Sequence, residues 1–137
     1  MIIYHFCAAK HVNKIRRSGF QIGGVALPGP HGFRIFSGYT WLTLDGDPGH
    51  QSWATGIMIP YKRTAYRLTV EIPDEDMDRL MDRDALEQHI PGSQILFDGW
   101  PYSESWRVYR GFIPPNWIKK IENMEENTDE NTDEAVE

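Results

Sequence analysis

The sequence lacks the features that define several protein classes. It contains a single cysteine, Cys7, among 137 residues, which excludes an intramolecular disulfide and a disulfide-stabilised secreted scaffold. No apolar run approaches the roughly 20 residues that a membrane-spanning helix needs. The apolar N-terminal residues are not preceded by a basic stretch, so no signal peptide is expected. We therefore expect a cytoplasmic protein with no membrane segment.

The common nucleotide-binding and catalytic motifs are also missing. The sequence has no GxxxxGK[ST] phosphate loop, no GxGxxG between a strand and a helix, no HExxH and no CxxC. Its five histidines have no metal-ligand spacing, so no metal site is predicted. Cys7 follows an apolar strand, where an inert buried thiol is more common than a nucleophile.

Acidic residues are scarce in the first half of the chain and concentrated at its end. The formal net charge is −6, but residues 122–137 hold eight acids and no base, so residues 1–121 carry 14 basic against 12 acidic residues. Residues 10–67 hold eight basic and two acidic residues, whereas residues 74–87 hold seven acidic residues and two arginines. The first half therefore favours an anionic ligand, and the second half presents an acidic face.

Hydrophobic patterning predicts one α+β domain over residues 1–121 with a largely antiparallel sheet. Strands are expected at 2–6, 40–44, 56–59, 66–72, 94–97 and 105–109. Helices are expected at 8–18, at 74–82 and after the prolines near 114, with a helical turn at 48–54 and a long glycine-rich loop at 21–38. Residues 122–137, which repeat the tetrapeptide ENTD, are expected to form a disordered acidic tail.

The opening stretch, IYHFCAAKHVNKIRRSGF, places His5 in an apolar and aromatic strand that leads through small residues into a short basic helix ending at Gly19. This order resembles the start of the ADP-ribosyltransferase superfamily, especially its small bacterial or phage-type members. The segments SGYTWLTLD, GHQSWAT, YKRTAYRLTVEIP and SESWRVYRGFIPPNWIKKI continue the resemblance over roughly residues 2–121. It implies two small, mostly antiparallel sheets around a cleft with short flanking helices.

The resemblance implies transfer of ADP-ribose from NAD to a protein or nucleic acid acceptor. Cleavage of the nicotinamide–ribose bond passes through an oxocarbenium-like transition state, which needs a polar anchor, an aromatic clamp and a carboxylate. By this resemblance His5 anchors the ribose hydroxyls, Tyr39 or Trp41 clamps the nicotinamide, and Glu104 supplies the carboxylate. The pyrophosphate would be held by basic residues, namely Lys10, Arg16, Arg34 and Arg67.

Three alternatives remain open on the sequence. Asp98 replaces Glu104 as the carboxylate if the register of this segment shifts. Arg107 and Arg110 fit the RNA 2′-phosphotransferase branch, which uses several arginines and a histidine in place of a carboxylate. In a third hypothesis the protein is a non-catalytic binding or inhibitor protein, whose acidic residues 74–87 and tail imitate nucleic acid.

Overall fold

A six-stranded antiparallel sheet forms the centre of the fold. The structure is a computed structural model and describes residues 1–20, 23–51 and 63–124. Within these residues the strands are β1 (Ile2–Cys7), β2 (Gly24–Gly29), β3 (Gly32–Ser37), β4 (Tyr39–Thr43), β5 (Tyr66–Glu71), β6 (Leu80–Met81), β7 (Trp106–Arg110) and β8 (Ile118–Asn123). The α-helices are α1 (Ala9–Ser18) and α2 (Arg83–His89).

The strand order in this sheet is β6-β7-β4-β1-β5-β8, and every neighbouring pair is antiparallel. Strands β2 and β3 form a separate antiparallel hairpin. Few helices accompany the sheet, so the predicted mixed α+β class with a mostly antiparallel sheet is confirmed. None of the helices in the described part of the chain has the length and apolar character needed to cross a membrane.

The sheet is weakest between β1 and β4. Strand β1 pairs with β5 along six residues, from Ile2 to Cys7, but with β4 only through Tyr4 opposite Thr43. The six strands therefore form two three-stranded halves, β6-β7-β4 and β1-β5-β8, which meet at this single pairing. Backbone N–H and C=O groups need hydrogen-bond partners wherever a ladder stops. A side chain, a ligand or water must therefore form hydrogen bonds with these groups on both sides of the gap.

Each face of the sheet packs against a hydrophobic core. Side chains alternate along each strand, so neighbouring residues contribute to different cores. Tyr109 of β7 packs with Leu68 and Val70 of β5 in a core that includes Val12 of α1. Its neighbour Val108 faces the other way, into a second core. That core also contains residues of β2, α2 and the following segment, namely Val25, Leu86, Ile90 and Phe97.

Helix α1 ends where the sequence predicts, at Gly19. Its last turn carries Arg16 and Arg17, which complement the negative end of the helix dipole. Gly19 has φ 75° and ψ −167°, an extended conformation reserved for glycine rather than the left-handed helical one. Phe20 then forms an antiparallel bridge with Ile113, which ties the end of the helix to the segment after β7.

The predicted loop over 21–38 is wrong for its described part, which forms the β2–β3 hairpin. The hairpin turns at Pro30 and His31, between Gly29 and Gly32, which face each other in the ladder. Glycine and proline obscure the alternation in the sequence. Val25 and Phe36 nevertheless lie opposite each other and pack against the second core, which supplies the burial that stabilises the hairpin.

Three further element predictions are wrong. The segment after the prolines near 114 is a 3₁₀ helix over Pro115–Trp117 followed by strand β8 rather than a longer helix, because β8 pairs with β5 and packs Ile118 and Ile121 against the first core. The expected strand at 94–97 is a 3₁₀ helix over Ser93–Leu96. The expected helix at 74–82 is a 3₁₀ helix over Asp74–Arg79 followed by β6, whose pairing with β7 overrides helical propensity.

The predicted tail begins too early. Glu122 and Asn123 belong to β8, and the Met124 N–H donates to the Ala65 carbonyl. The rest of the predicted tail, 125–137, lies outside the described residues, as does the expected strand at 56–59. Of the predicted turn at 48–54, the structure describes a 3₁₀ helix over Pro48–His50.

Candidate functional site

A cavity of about 450 Å³ opens where β1 and β4 separate, and we call it the split cavity. Three consecutive residues of each strand line it, Tyr4 to Phe6 and Trp41 to Thr43. The remaining described lining residues come from β2, from the start of β7, from the 3₁₀ helix over Ser93–Leu96 and from two loops, namely Gly24, Ala26, Gln51, Leu96, Trp100 and Trp106. The gap in the sheet is thus enclosed by aromatic and apolar side chains with a few polar ones.

His5 takes the place that a backbone hydrogen bond would have in a continuous ladder. Its Nδ1 lies 3.0 Å from the Trp41 carbonyl oxygen, which can only accept, so Nδ1 carries the proton and donates. Burial lowers the pKa of His5 below its ordinary value of 6.5, opposed by the hydrogen bond to Trp41 and aided by the nearby His11. The neutral ring then has Nε2 as an acceptor, which suits a hydroxyl group of a ligand.

Acidification should destabilise the protein through His5. Because the pKa of His5 is lower in the folded state, the unfolded chain binds a proton here first, and stability is lost as the pH falls below about 6.5. We expect His5→Gln to flatten the dependence of Tm on pH between about pH 7.5 and 5.5.

The matched control is His89→Gln, an exposed histidine at the end of α2, which should keep the wild-type slope. Asp45 and Glu122, whose pKa values are lowered, contribute to acid destabilisation only below their ordinary values of 3.8 and 4.5, outside this window. An unchanged slope in His5→Gln would contradict the assignment of a neutral, half-buried ring.

Indole rings form the walls of the split cavity. Trp41 and Trp106 meet edge to face at 6.1 Å between ring centroids, and Trp100 lies 6.4 Å from Trp106. Phe97 packs against Trp41, with 5.5 Å between the ring centroids. The buried Trp106 Nε1 has no hydrogen-bond partner in the described structure. Walls of this kind favour a flat, weakly polar ring.

The loop after β4 brings Gln51 to the cavity. Gln51 is 3% exposed, and its Nε2 donates to the carbonyl oxygens of Asp45 and Asp47 at 3.0 and 2.9 Å. Asp45 lies 2.7 Å from Nδ1 of His50, whose ring stacks on Tyr102 at 4.0 Å. Burial alone would raise the pKa of Asp45, but the Asp47 N–H and the His50 ring outweigh it and lower that pKa. The loop is therefore held from several sides.

The predicted catalytic residues do not share one cavity. His5 and Trp41 line the split cavity, whereas Tyr39 lines a concavity of about 320 Å³ at the start of β4. Glu104 lines a third concavity of about 420 Å³, together with the alternative carboxylate Asp98. The prediction of a single cleft is wrong for Tyr39 and Glu104. Tyr39 lies beyond the gap in the sheet, and Glu104 lines a concavity that has one described lining residue, Trp106, in common with the split cavity.

None of the predicted pyrophosphate-binding cations is among the described lining residues of the split cavity. Lys10 and Arg16 are exposed on α1, and Arg34 is exposed on β3 with its guanidinium 5.0 Å from the Phe36 ring. Arg67 donates to Glu122 and to the Gly46 carbonyl, each at 2.7 Å.

The hydrogen bonds of Arg67 give it a structural role. Its guanidinium also lies 5.2 Å from the ring of Tyr4, a lining residue. The same guanidinium is the main cause of the lowered pKa of Glu122. Arg107 is similarly engaged, because its Nη1 donates to the carbonyl oxygens of Glu104 and Trp106.

Sequence reasoning missed Thr43, Gln51, Trp100 and Trp106 as lining residues. Trp100 lies in an irregular loop, and no spacing relates it to Trp41. The gap between β1 and β4 that gathers these residues follows from strand pairing, for which the sequence carries no local signal. The abundance of tryptophan, five residues in all, was the one available indication of an aromatic site.

No group of three or more potential metal ligands occurs among residues 1–20, 23–51 and 63–124. Comparison with protein-family models, with curated proteins and with solved structures found no match to this chain.

Proposed function

We propose that the protein is an ADP-ribosyltransferase-like protein that binds NAD, with the nicotinamide end in the split cavity. The observation that carries this proposal is the placement of His5 in the gap between β1 and β4. Its Nδ1 is fixed on the Trp41 carbonyl at 3.0 Å, and its Nε2 is left to accept a hydrogen bond from a ribose hydroxyl.

The walls of the split cavity suit the nicotinamide ring. In NAD this ring carries a positive charge, and the faces of indole rings attract cations by their quadrupole. Trp41 and Trp100 both line the cavity and both lie next to Trp106, and the volume of about 450 Å³ lies within the usual range for small-molecule sites. Gly24 and Ala26 on β2 line the remaining wall, and their small or absent side chains leave space in the cavity.

In the proposed reaction the bond between ribose C1′ and the nicotinamide nitrogen breaks, and its electron pair leaves with nicotinamide, which becomes neutral. An acceptor nucleophile then forms a bond to C1′ and loses its proton. A carboxylate stabilises the positive charge that develops on the ribose. Glu104 is our candidate for this role, since it is exposed and lies in the concavity that shares Trp106 with the split cavity.

A second candidate function is supported by what lines the split cavity. No carboxylate is among its described lining residues, so these residues supply binding contacts but no negative charge for the developing positive charge on the ribose. The second candidate is therefore a non-catalytic nucleotide-binding protein. The RNA 2′-phosphotransferase hypothesis is favoured less, because the described lining residues include no arginine.

NAD should stabilise the protein through the split cavity. At ten times its Kd, NAD should add about 1.4 kcal/mol to the free energy of unfolding, or roughly 5 °C in Tm for a chain of this size. Trp100→Ala should weaken this shift, because it removes a half-exposed wall of the cavity without disturbing a core. The measurement is a thermal melt with and without millimolar NAD.

Phe33→Ala is the matched control, since Phe33 is an exposed aromatic residue of β3 that is not among the described lining residues. This control should keep the full NAD shift. The absence of a shift in the wild type, or an equal loss in both variants, would overturn NAD binding in the split cavity.

A further inference from the structure

The concavity around Tyr39 has the shape and the chemistry of a second binding site. It is lined by two exposed or half-buried aromatic residues, Tyr39 and Phe112, and by the buried Phe20. The ring of Phe112 is 51% exposed. Thr40 and three glycines, Gly23, Gly38 and Gly111, complete the described lining, and the glycines leave the backbone open to close approach.

Four arginines border this concavity. Arg16 and Arg17 occupy the last turn of α1, directly before Gly19, over which the Phe112 ring lies. Arg110 stands opposite Tyr39 in the β4–β7 ladder. The guanidinium of Arg79 lies over Gly111, with Nη1 2.9 Å from the position that a Cβ would occupy there.

None of these four guanidinium groups forms an ion pair within the described part of the chain. Asp76 and Asp78 precede Arg79 in the same 3₁₀ helix, but neither forms an ion pair with it. Residues 8–44, which supply α1, the hairpin and the start of β4, contain five basic and no acidic residues. Exposed arginines that form no ion pair, placed around an aromatic ring, match the phosphates and bases of nucleic acid.

The concavity adjoins the split cavity along β4. Tyr39 and Thr40 line the former, and the next three residues of the strand line the latter. The base of the hairpin borders both, with Gly23 on one side and Gly24 on the other. An extended ligand bound in the concavity, such as a nucleic acid strand, would therefore pass the mouth of the split cavity.

We infer that this concavity binds single-stranded nucleic acid, with an unpaired base against Phe112 and phosphates on Arg79, Arg110 and the end of α1. An exposed ring in a concavity can stack on an unpaired base, whereas the bases of a duplex are stacked on each other. Nucleic acid is then the acceptor of the transfer. The binding of single-stranded nucleic acid is inferred from this site alone, while its role as the acceptor rests on the proposed function.

The test is fluorescence anisotropy of the full chain with labelled single-stranded DNA and RNA of about 12 nucleotides, a length within the usual site sizes. Arg79→Gln/Arg110→Gln should lower the slope of log affinity against log salt by about 1.4, because each lost phosphate contact on a single strand contributes about 0.7. Phe112→Ala should weaken binding about five- to 150-fold with the slope unchanged. A preference between DNA and RNA would identify the sugar of the acceptor.

The matched control is Lys119→Gln/Lys120→Gln, which removes the same charge from two exposed residues of β8 and should change affinity less than about twofold. Absence of wild-type binding, an equal effect of the control, or displacement by polyglutamate as effective as by oligonucleotide would overturn the inference. Retained strand binding without an NAD shift would instead overturn the proposed function and leave this site standing. Loss of strand binding with a retained NAD shift would overturn this inference alone.

Discussion

Gly19→Ala is expected to lower the free energy of unfolding by about 3–5 kcal/mol. At φ 75° and ψ −167°, any residue with a Cβ is strained, which costs about 1–3 kcal/mol. An added Cβ would also lie 2.2 Å from the Ile113 carbonyl oxygen, the acceptor for the Phe20 N–H at 3.0 Å. The methyl group can be placed only if the end of α1 moves away from Ile113, which breaks this bridge and disturbs the first core.

Gly99→Ala is the matched control, since Gly99 has a similar φ of 84° but no atom within 4 Å of an added Cβ. It should lose only the strain term, about 1–2 kcal/mol. Urea denaturation of both variants measures the difference, provided that the m-values agree with that of the wild type. Equal losses in the two variants would contradict the close approach of Gly19 to Ile113.

Glu104→Gln should reduce the rate of nicotinamide release by about 10²–10³-fold and leave NAD binding nearly unchanged. The carboxylate charge acts on the positive charge that develops in the transition state, so it contributes little to ground-state affinity. We expect the variant to fold like the wild type, because Glu104 is exposed and its carboxylate has no hydrogen bond or ion pair in the described part of the chain. Release kinetics and thermal melts on the same samples separate the two effects.

Asp98→Asn is the paired variant, because Asp98 was the other candidate carboxylate and lies in the same concavity. It loses only an exposed, solvent-screened ion pair with Arg83, so the stability of the fold should hardly change. A rate loss in Asp98→Asn alone would move the catalytic role to Asp98. Full activity in both variants would exclude both carboxylates, and a wild type that binds NAD without releasing nicotinamide would establish the second, non-catalytic candidate.

The fold class could be predicted because it depends on local patterns. The alternation of β5, the apolar residues of β1 and the glycine after α1 each specify an element within a few residues. Strand β8 could not be predicted in this way. Its sequence, IKKIEN, is compatible with a helix, and the edge of β5 that it pairs with lies about 50 residues away in the chain.

The candidate site was predictable only in part for the same reason. His5 and Trp41 were identified from a resemblance in their own strands, and the structure brings them to one hydrogen bond. Whether Tyr39 and Glu104 join them could be decided only by knowing where β4 separates from β1 and which concavity each residue lines. Those positions depend on strand pairing and side-chain packing, which short motifs do not encode.

Strand β3 has a consequence for the behaviour of the protein at high concentration. Phe33 and Ile35 are 72% and 61% exposed, and β3 pairs only with β2 among the described residues. An apolar strand with an open edge is a template for intermolecular β-pairing and fibril growth. Arg34, between the two apolar side chains, acts as a gatekeeper whose charge opposes the stacking of identical strands. We therefore expect Arg34, in the middle of β3, to limit association of the protein through this hairpin at high concentration.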